Sequence, residues 1–61
     1  MTYPEHAYIK AGYQYEKSRS AAAAQDIART IRIMLETESR TDQPHARQLI
    51  ERGRQEARQT A

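Results

Sequence analysis

One stretch of the chain, from Ser20 to Glu38, limits what the whole sequence can fold into more than any other feature. It is the only segment in which apolar residues keep helical spacing over about five turns. Steps of three and four residues place these side chains on one side of a helix; they are Ala24, Ile27, Ala28, Ile31, Met34 and Leu35. The spacing predicts a long amphipathic helix over about 20–38, and the other segments must pack against it.

Large aliphatic side chains are few for a chain of 61 residues. Apart from the initiator methionine there are eight, and five of them lie in the central stretch. Short chains bury a small share of their surface, and association is one remedy. The sequence has no cysteine, so disulfides cannot supply stability. We therefore expect a homo-oligomer, namely a dimer whose core is completed between chains. Intrinsic disorder is the competing interpretation, and the regular helical spacing argues against it.

The first segment also reads as a helix, at about 4–17. Thr2 and Glu5 have the spacing of a capping box, and Pro4 suits a first turn. One face would carry Tyr8, Ala11, Gly12 and Tyr15. Glycine costs about 1 kcal/mol of helix propensity relative to alanine. Gly12 therefore indicates a place where another helix backbone crosses closely.

Two boundaries divide the chain. The residues 16–20 contain no large apolar group, and Ser18 or Ser20 could cap the central helix. Because no Gly or Pro enforces that break, one continuous helix over 4–39 is the alternative. The run Thr41–Pro44 is the clearer boundary, with Asp42 or Thr41 as the cap.

A third helix is expected over about 43–58. Its apolar stripe is narrow, and it consists of Ala46, Leu49, Ile50, Gly53 and Ala57. The sequence thus predicts an all-α fold over residues 1–61 as a single small domain. Helices one and two would form a helical hairpin, and a shorter third helix would pack across it as a lid.

Ile33 points away from the apolar side of the central helix, among Asp26, Arg29, Thr30 and Thr37. A lone surface isoleucine is ordinary, but in a chain so short of core material it also suggests contact with a second chain. On that reading Ile33→Glu weakens self-association and leaves helicity intact. The residues predicted to lie at a protein interface are Tyr8, Tyr15, Ile31, Ile33, Leu35 and Ile50.

The alternative function is nucleic-acid binding. Arg47, Arg54 and Arg58 share one sector of the third helix, where they could contact phosphates. Glu51 lies beside that sector and mixes the signs, which favours a solvated, salt-bridged face instead. The net charge of +2 is too small to imply nucleic acid by itself.

The sequence shows no pattern typical of catalysis or of a bound cofactor. His6 and His45 lack a second ligand at metal-binding spacing, and no Gly-rich phosphate loop is present. We expect no enzyme activity, no cofactor and no metal. Neither a signal peptide nor a membrane-spanning run is recognisable, so a cytoplasmic protein without membrane contact is expected.

Two resemblances add to these expectations. Tyr8, Gly12, Tyr15 and Ala24 have the spacing of a tetratricopeptide helix pair, although Arg19 and Ala28 depart from it and only one copy is present. This resemblance supports a helical hairpin. The segment from Ala11 to Lys17 and that from Ile31 to Leu35, in a Cys-free chain rich in Ala and Arg, resemble small early-region proteins of lambdoid bacteriophages. That resemblance implies a non-enzymatic accessory protein that modulates host physiology or lytic development through protein contacts in the host cytoplasm.

Overall fold

The computed structural model describes residues 1–60, which form three α-helices and no strand. Helix α1 spans Glu5–Lys17, α2 spans Ala21–Glu36 and α3 spans Gln43–Gln59. The predicted all-helical class is confirmed. The third helix has 17 residues and is the longest of the three, which corrects the expectation of a shorter lid.

The ends of the helices show which capping signals operate. The Ser20 hydroxyl accepts a hydrogen bond from the Ala23 N–H at 3.1 Å, so α2 begins after a short break instead of continuing α1. Pro4 occupies the cap position of α1, where no side chain caps, so the expected capping box does not form. Asp42 occupies the cap position of α3 without a side-chain cap bond, and Pro44 lies in the first turn.

Helices α1 and α2 pack against each other as the predicted hairpin, but the more extensive packing joins α1 to α3. The cause is a pair of glycines. A Cβ atom added to Gly12 would lie 2.8 Å from the carbonyl carbon of Ile50, and one added to Gly53 would lie 2.9 Å from the backbone nitrogen of Tyr13. Both distances are shorter than an ordinary van der Waals contact. The two backbones meet where neither helix carries a side chain, which confirms the close crossing that Gly12 indicates.

The contacts along α1 show how the helices are directed. Glu5 pairs with His45, and Glu16 pairs with Arg54, so α1 and α3 run in the same direction. Tyr8 reaches Met34 near the end of α2, which therefore runs in the opposite direction. Helix α1 packs against both others, whereas α2 and α3 touch little. The molecule is a flat layer of 32 × 23 × 14 Å with α1 in the middle.

The core is small, and three of its seven buried hydrophobic residues are alanines. Its buried members come from all three helices, and they are Tyr8, Ala11, Met34, Ala46, Leu49, Ile50 and Ala57. The connection from α2 to α3 is closed by Gln43, whose side-chain amide donates to the carbonyl oxygens of Leu35 and Glu38. This contact satisfies acceptors that the end of α2 would otherwise leave unpaired.

Candidate protein-interaction cleft

A cleft of about 220 Å³ lies between residues of all three helices. Tyr15 of α1, Ala28 and Ile31 of α2, and Ile50 and Arg54 of α3 line it. Sites for drug-sized ligands usually measure about 300–1,000 Å³. This cleft is smaller than such sites, and its lining is mostly apolar.

The cleft exists because α3 packs on α1 and leaves α2 only partly covered. Helix α2 holds most of the large aliphatic residues, yet Met34 is its only buried residue. Ile27, Ala28, Ile31 and Leu35 are each half-buried. The helix that the sequence marks as the centre of the fold therefore keeps part of its apolar face open.

The α3 side of the cleft is bordered by a network of four charged residues. The Arg54 Nε donates to Glu16 Oε1 at 3.0 Å, and its Nη1 lies 3.7 Å from Glu51 Oε2. Arg58 joins both acids, with its Nη2 3.4 Å from Glu16 and its Nη1 3.5 Å from Glu51. Two arginines thus balance two glutamates. The guanidinium of Arg54 also lies over the ring of Tyr15, 5.2 Å from its centroid.

These contacts shift the protonation equilibria of the network. The hydrogen bond from Arg54 lowers the pKa of the Glu16 carboxyl, and the bond from Arg58 lowers it further, while partial burial opposes both. The hydrogen bond to Glu16 in turn raises the pKa of Arg54. Both shifts favour the charged forms of Glu16 and Arg54, and their hydrogen bond holds Arg54 in place over Tyr15.

A second polar cluster lies inside the fold, at the end of α2. Glu38 is buried, at 6% exposure, and its Oε1 accepts a 2.5 Å hydrogen bond from the Tyr8 hydroxyl. The same oxygen accepts bonds from the backbone N–H groups of Thr2, at 2.8 Å, and Tyr3, at 3.4 Å. The segment that precedes α1 is thereby attached to the turn that follows α2.

The protonation of this cluster follows from its contacts. The Tyr8 hydrogen bond is the largest cause that lowers the pKa of the Glu38 carboxyl, and the two N–H donors add to it. Burial, followed by the bond to Glu38, raises the pKa of Tyr8. Sequence reasoning missed Glu38, because a carboxylate just after a helix end is usually solvated. The only available signal is a tyrosine in the core that needs an acceptor.

The structure brings together three of the six predicted interface residues. Tyr15, Ile31 and Ile50 all line the cleft. Leu35 packs against the core and remains half-buried. Tyr8 is fully buried, so in this protomer it belongs to the core and offers no surface to a partner. Ile33 is 51% exposed, away from the cleft.

The three arginines considered for nucleic-acid contact fall into two groups. Arg54 and Arg58 belong to the charge-balanced network described above. Arg47 is exposed on the surface of α3. The three arginines lie in the same sector of α3, but acidic partners neutralise two of the three charges.

Other features of the described residues concern metals and membranes. No three His, Asp or Glu side chains within residues 1–60 gather as a metal ion would require. Over the same residues, no helix has both the length and the apolar content needed to cross a bilayer.

Comparison with protein families, with curated proteins and with solved structures finds no match for this chain.

Proposed function

We propose that this chain is a small non-enzymatic factor that acts by binding other protein chains through the cleft, and that a second copy is one such chain. The observation that carries the proposal is the apolar lining of the cleft, in which Ala28, Ile31 and Tyr15 are half-buried and Ile50 is buried. Buried interface centres favour such apolar and aromatic groups, with polar residues at the rim. The Arg54 network supplies that polar rim.

The charge of the cleft also favours a protein partner over nucleic acid. Binding to phosphates needs uncompensated positive charge, which releases counterions. Arg54 and Arg58 already bind Glu16 and Glu51, so contact with phosphate would first have to displace these acids. An apolar side chain can enter the cleft without disturbing the network.

The wider role proposed here is regulatory. The resemblance to early-region proteins of lambdoid bacteriophages supports an accessory factor that acts on host proteins in the cytoplasm. Such a role needs a stable contact surface and no catalytic group, which agrees with a site made of apolar walls and a balanced ionic rim.

Site-specific photo-crosslinking tests the proposal. A benzophenone amino acid would replace Tyr15 at the cleft or, as a matched control, the exposed Gln14 one position earlier on α1. We expect position 15 to crosslink to a protein chain and position 14 to give none, with mass spectrometry identifying the product. Ala28→Glu should remove the crosslink, because it places a carboxylate in the apolar lining. Equal labelling from both positions, or no protein adduct from position 15, contradicts the proposed function.

A further inference from the structure

Five residues of α2 form a regular line that the fold covers only in part, with Ile31 and Leu35 packed against the core. Steps of three, four, three and four residues separate them, as in the contact line of a coiled coil; they are Ala21, Ala24, Ala28, Ile31 and Leu35. We call this line the α2 seam. Ala21 is exposed and the other four are half-buried, so none is fully covered within the protomer. Ala28 and Ile31 of the seam also line the cleft.

The seam has a small half and a large half. Its first three residues are alanines, and its last two are isoleucine and leucine. Helix pairs pack well when large residues face small ones, because the layers then interlock without voids. Two parallel copies would place alanine against alanine at one end and crowd the large residues at the other. Two antiparallel copies place each large residue against a small one.

We propose that a second copy of this chain covers the seam, with the two α2 helices antiparallel. In the register that matches large to small, Ala24 faces the partner's Leu35, and Ala28 faces the partner's Ile31. The inference rests on the proposed function, since the seam and the cleft share two residues, and it names the occupant of that cleft. Each protomer places seam side chains of its α2 in the other's cleft, so the contact closes on itself as a two-fold dimer.

The charges on α2 favour the same arrangement at two of three positions. Arg29, Arg32 and Glu36 lie on the exposed side of the helix. In a parallel pair each of them would lie level with its own copy, which is unfavourable. In the antiparallel register Glu36 lies level with the uncharged alanine run at the start of the partner's helix, and Arg32 lies near the partner's Gln25. Arg29 is close to the two-fold axis and lies nearly level with its own copy in either arrangement, so it does not distinguish them.

Disulfide crosslinking tests the register directly, and the absence of native cysteine makes the background clean. A mixture of Ala24→Cys and Leu35→Cys chains should form the mixed disulfide under mild oxidation at least about tenfold faster than either variant forms its own. In the antiparallel register two copies of position 24 lie eleven residues apart along the helices, about 16 Å. Gln48→Cys, on the exposed surface of α3, is the control for random collision.

The results separate this inference from the proposed function. Preferential mixed disulfides, with Ala28→Glu weakening dimerisation about 10- to 100-fold in sedimentation, support the antiparallel pair. A self-disulfide of Ala24→Cys alone overturns it in favour of a parallel pair. Mixed disulfides no faster than the Gln48→Cys control, or a chain that Ile33→Glu dissociates and Ala28→Glu does not, also overturn it. In each of these cases a protein adduct from position 15 would leave the proposed function standing.

Discussion

Gly12→Ala is expected to separate α1 from α3. The added methyl group would lie 2.8 Å from the carbonyl carbon of Ile50 and closer still to its oxygen. Carbon atoms ordinarily meet at about 3.5–4.0 Å, so the helices must move apart by about 1 Å, and a gap of that size forfeits a quarter to a half of each contact energy along the crossing. The obstacle is backbone, which cannot rotate away as a side chain would.

The expected loss can be worked from these terms. Overpacking against an unyielding neighbour costs about 3 kcal/mol, and the gain in helix propensity from Gly to Ala returns about 1 kcal/mol. The net loss of about 2 kcal/mol is a large fraction of the roughly 3–9 kcal/mol that a domain of this length possesses. Urea unfolding followed by far-UV circular dichroism, at one fixed protein concentration, measures the change.

Three further variants sharpen this test. Gln14→Ala changes an exposed position on the same helix and should leave the unfolding midpoint nearly unchanged. Gly53→Ala alone should resemble Gly12→Ala, and the double variant should lose less than the sum, since the helices are already apart. If Gly12→Ala were as stable as the parent chain or more so, the close crossing would be refuted.

Further outcomes follow from the polar contacts. Tyr8→Phe should lose about 1.5–3 kcal/mol in urea unfolding, because a buried bond to a charged acceptor disappears. Because folding lowers the pKa of Glu38, its carboxylate stabilises the folded state fully above the usual Glu value of 4.5. This stabilisation is lost as the pH falls through the lower folded pKa. Thermal melts across this pH range should show a smaller loss of stability in acid for Tyr8→Phe than for the parent chain. Ser20→Ala should cost about 1 kcal/mol by removing the α2 cap, with the helical spectrum retained below the transition. The parent chain should show no salt-dependent retention on DNA, since Arg54 is paired with Glu16; a steep fall of affinity with salt would restore the nucleic-acid alternative.

The parts of the fold that could be predicted are those set by local signals. The spacing of apolar residues predicts the position of α2. Ser20 marks the start of that helix, and Pro44 lies in the first turn of α3. These features depend on neighbours within a few residues, so the sequence displays them directly. Gly12 added one long-range hint, a close helix crossing, without saying which helix crosses.

The pairing of α1 with α3 could not be predicted in the same way. Apolar periodicity ranks helices by their large side chains, and that ranking gave α2 the central place. The tightest contact instead uses the near absence of side chains at Gly12 and Gly53, a property that hydrophobic spacing does not register. For the same reason, only some of the predicted interface residues lie at the cleft. Ile31 lies at the cleft, whereas Tyr8 was drawn into the core by its bond to Glu38.

The crossing of α1 and α3 also fixes how these helices are aligned along their length. Each glycine lies against a carbonyl of the opposite helix, so sliding either helix by one residue would bring a bulkier group into the narrowest gap. The two helices consequently have a single permitted alignment along their axes. Substitution at the exposed positions of these two helices leaves the crossing intact, but an insertion or deletion within either helix that moved its glycine off the crossing would separate α1 from α3.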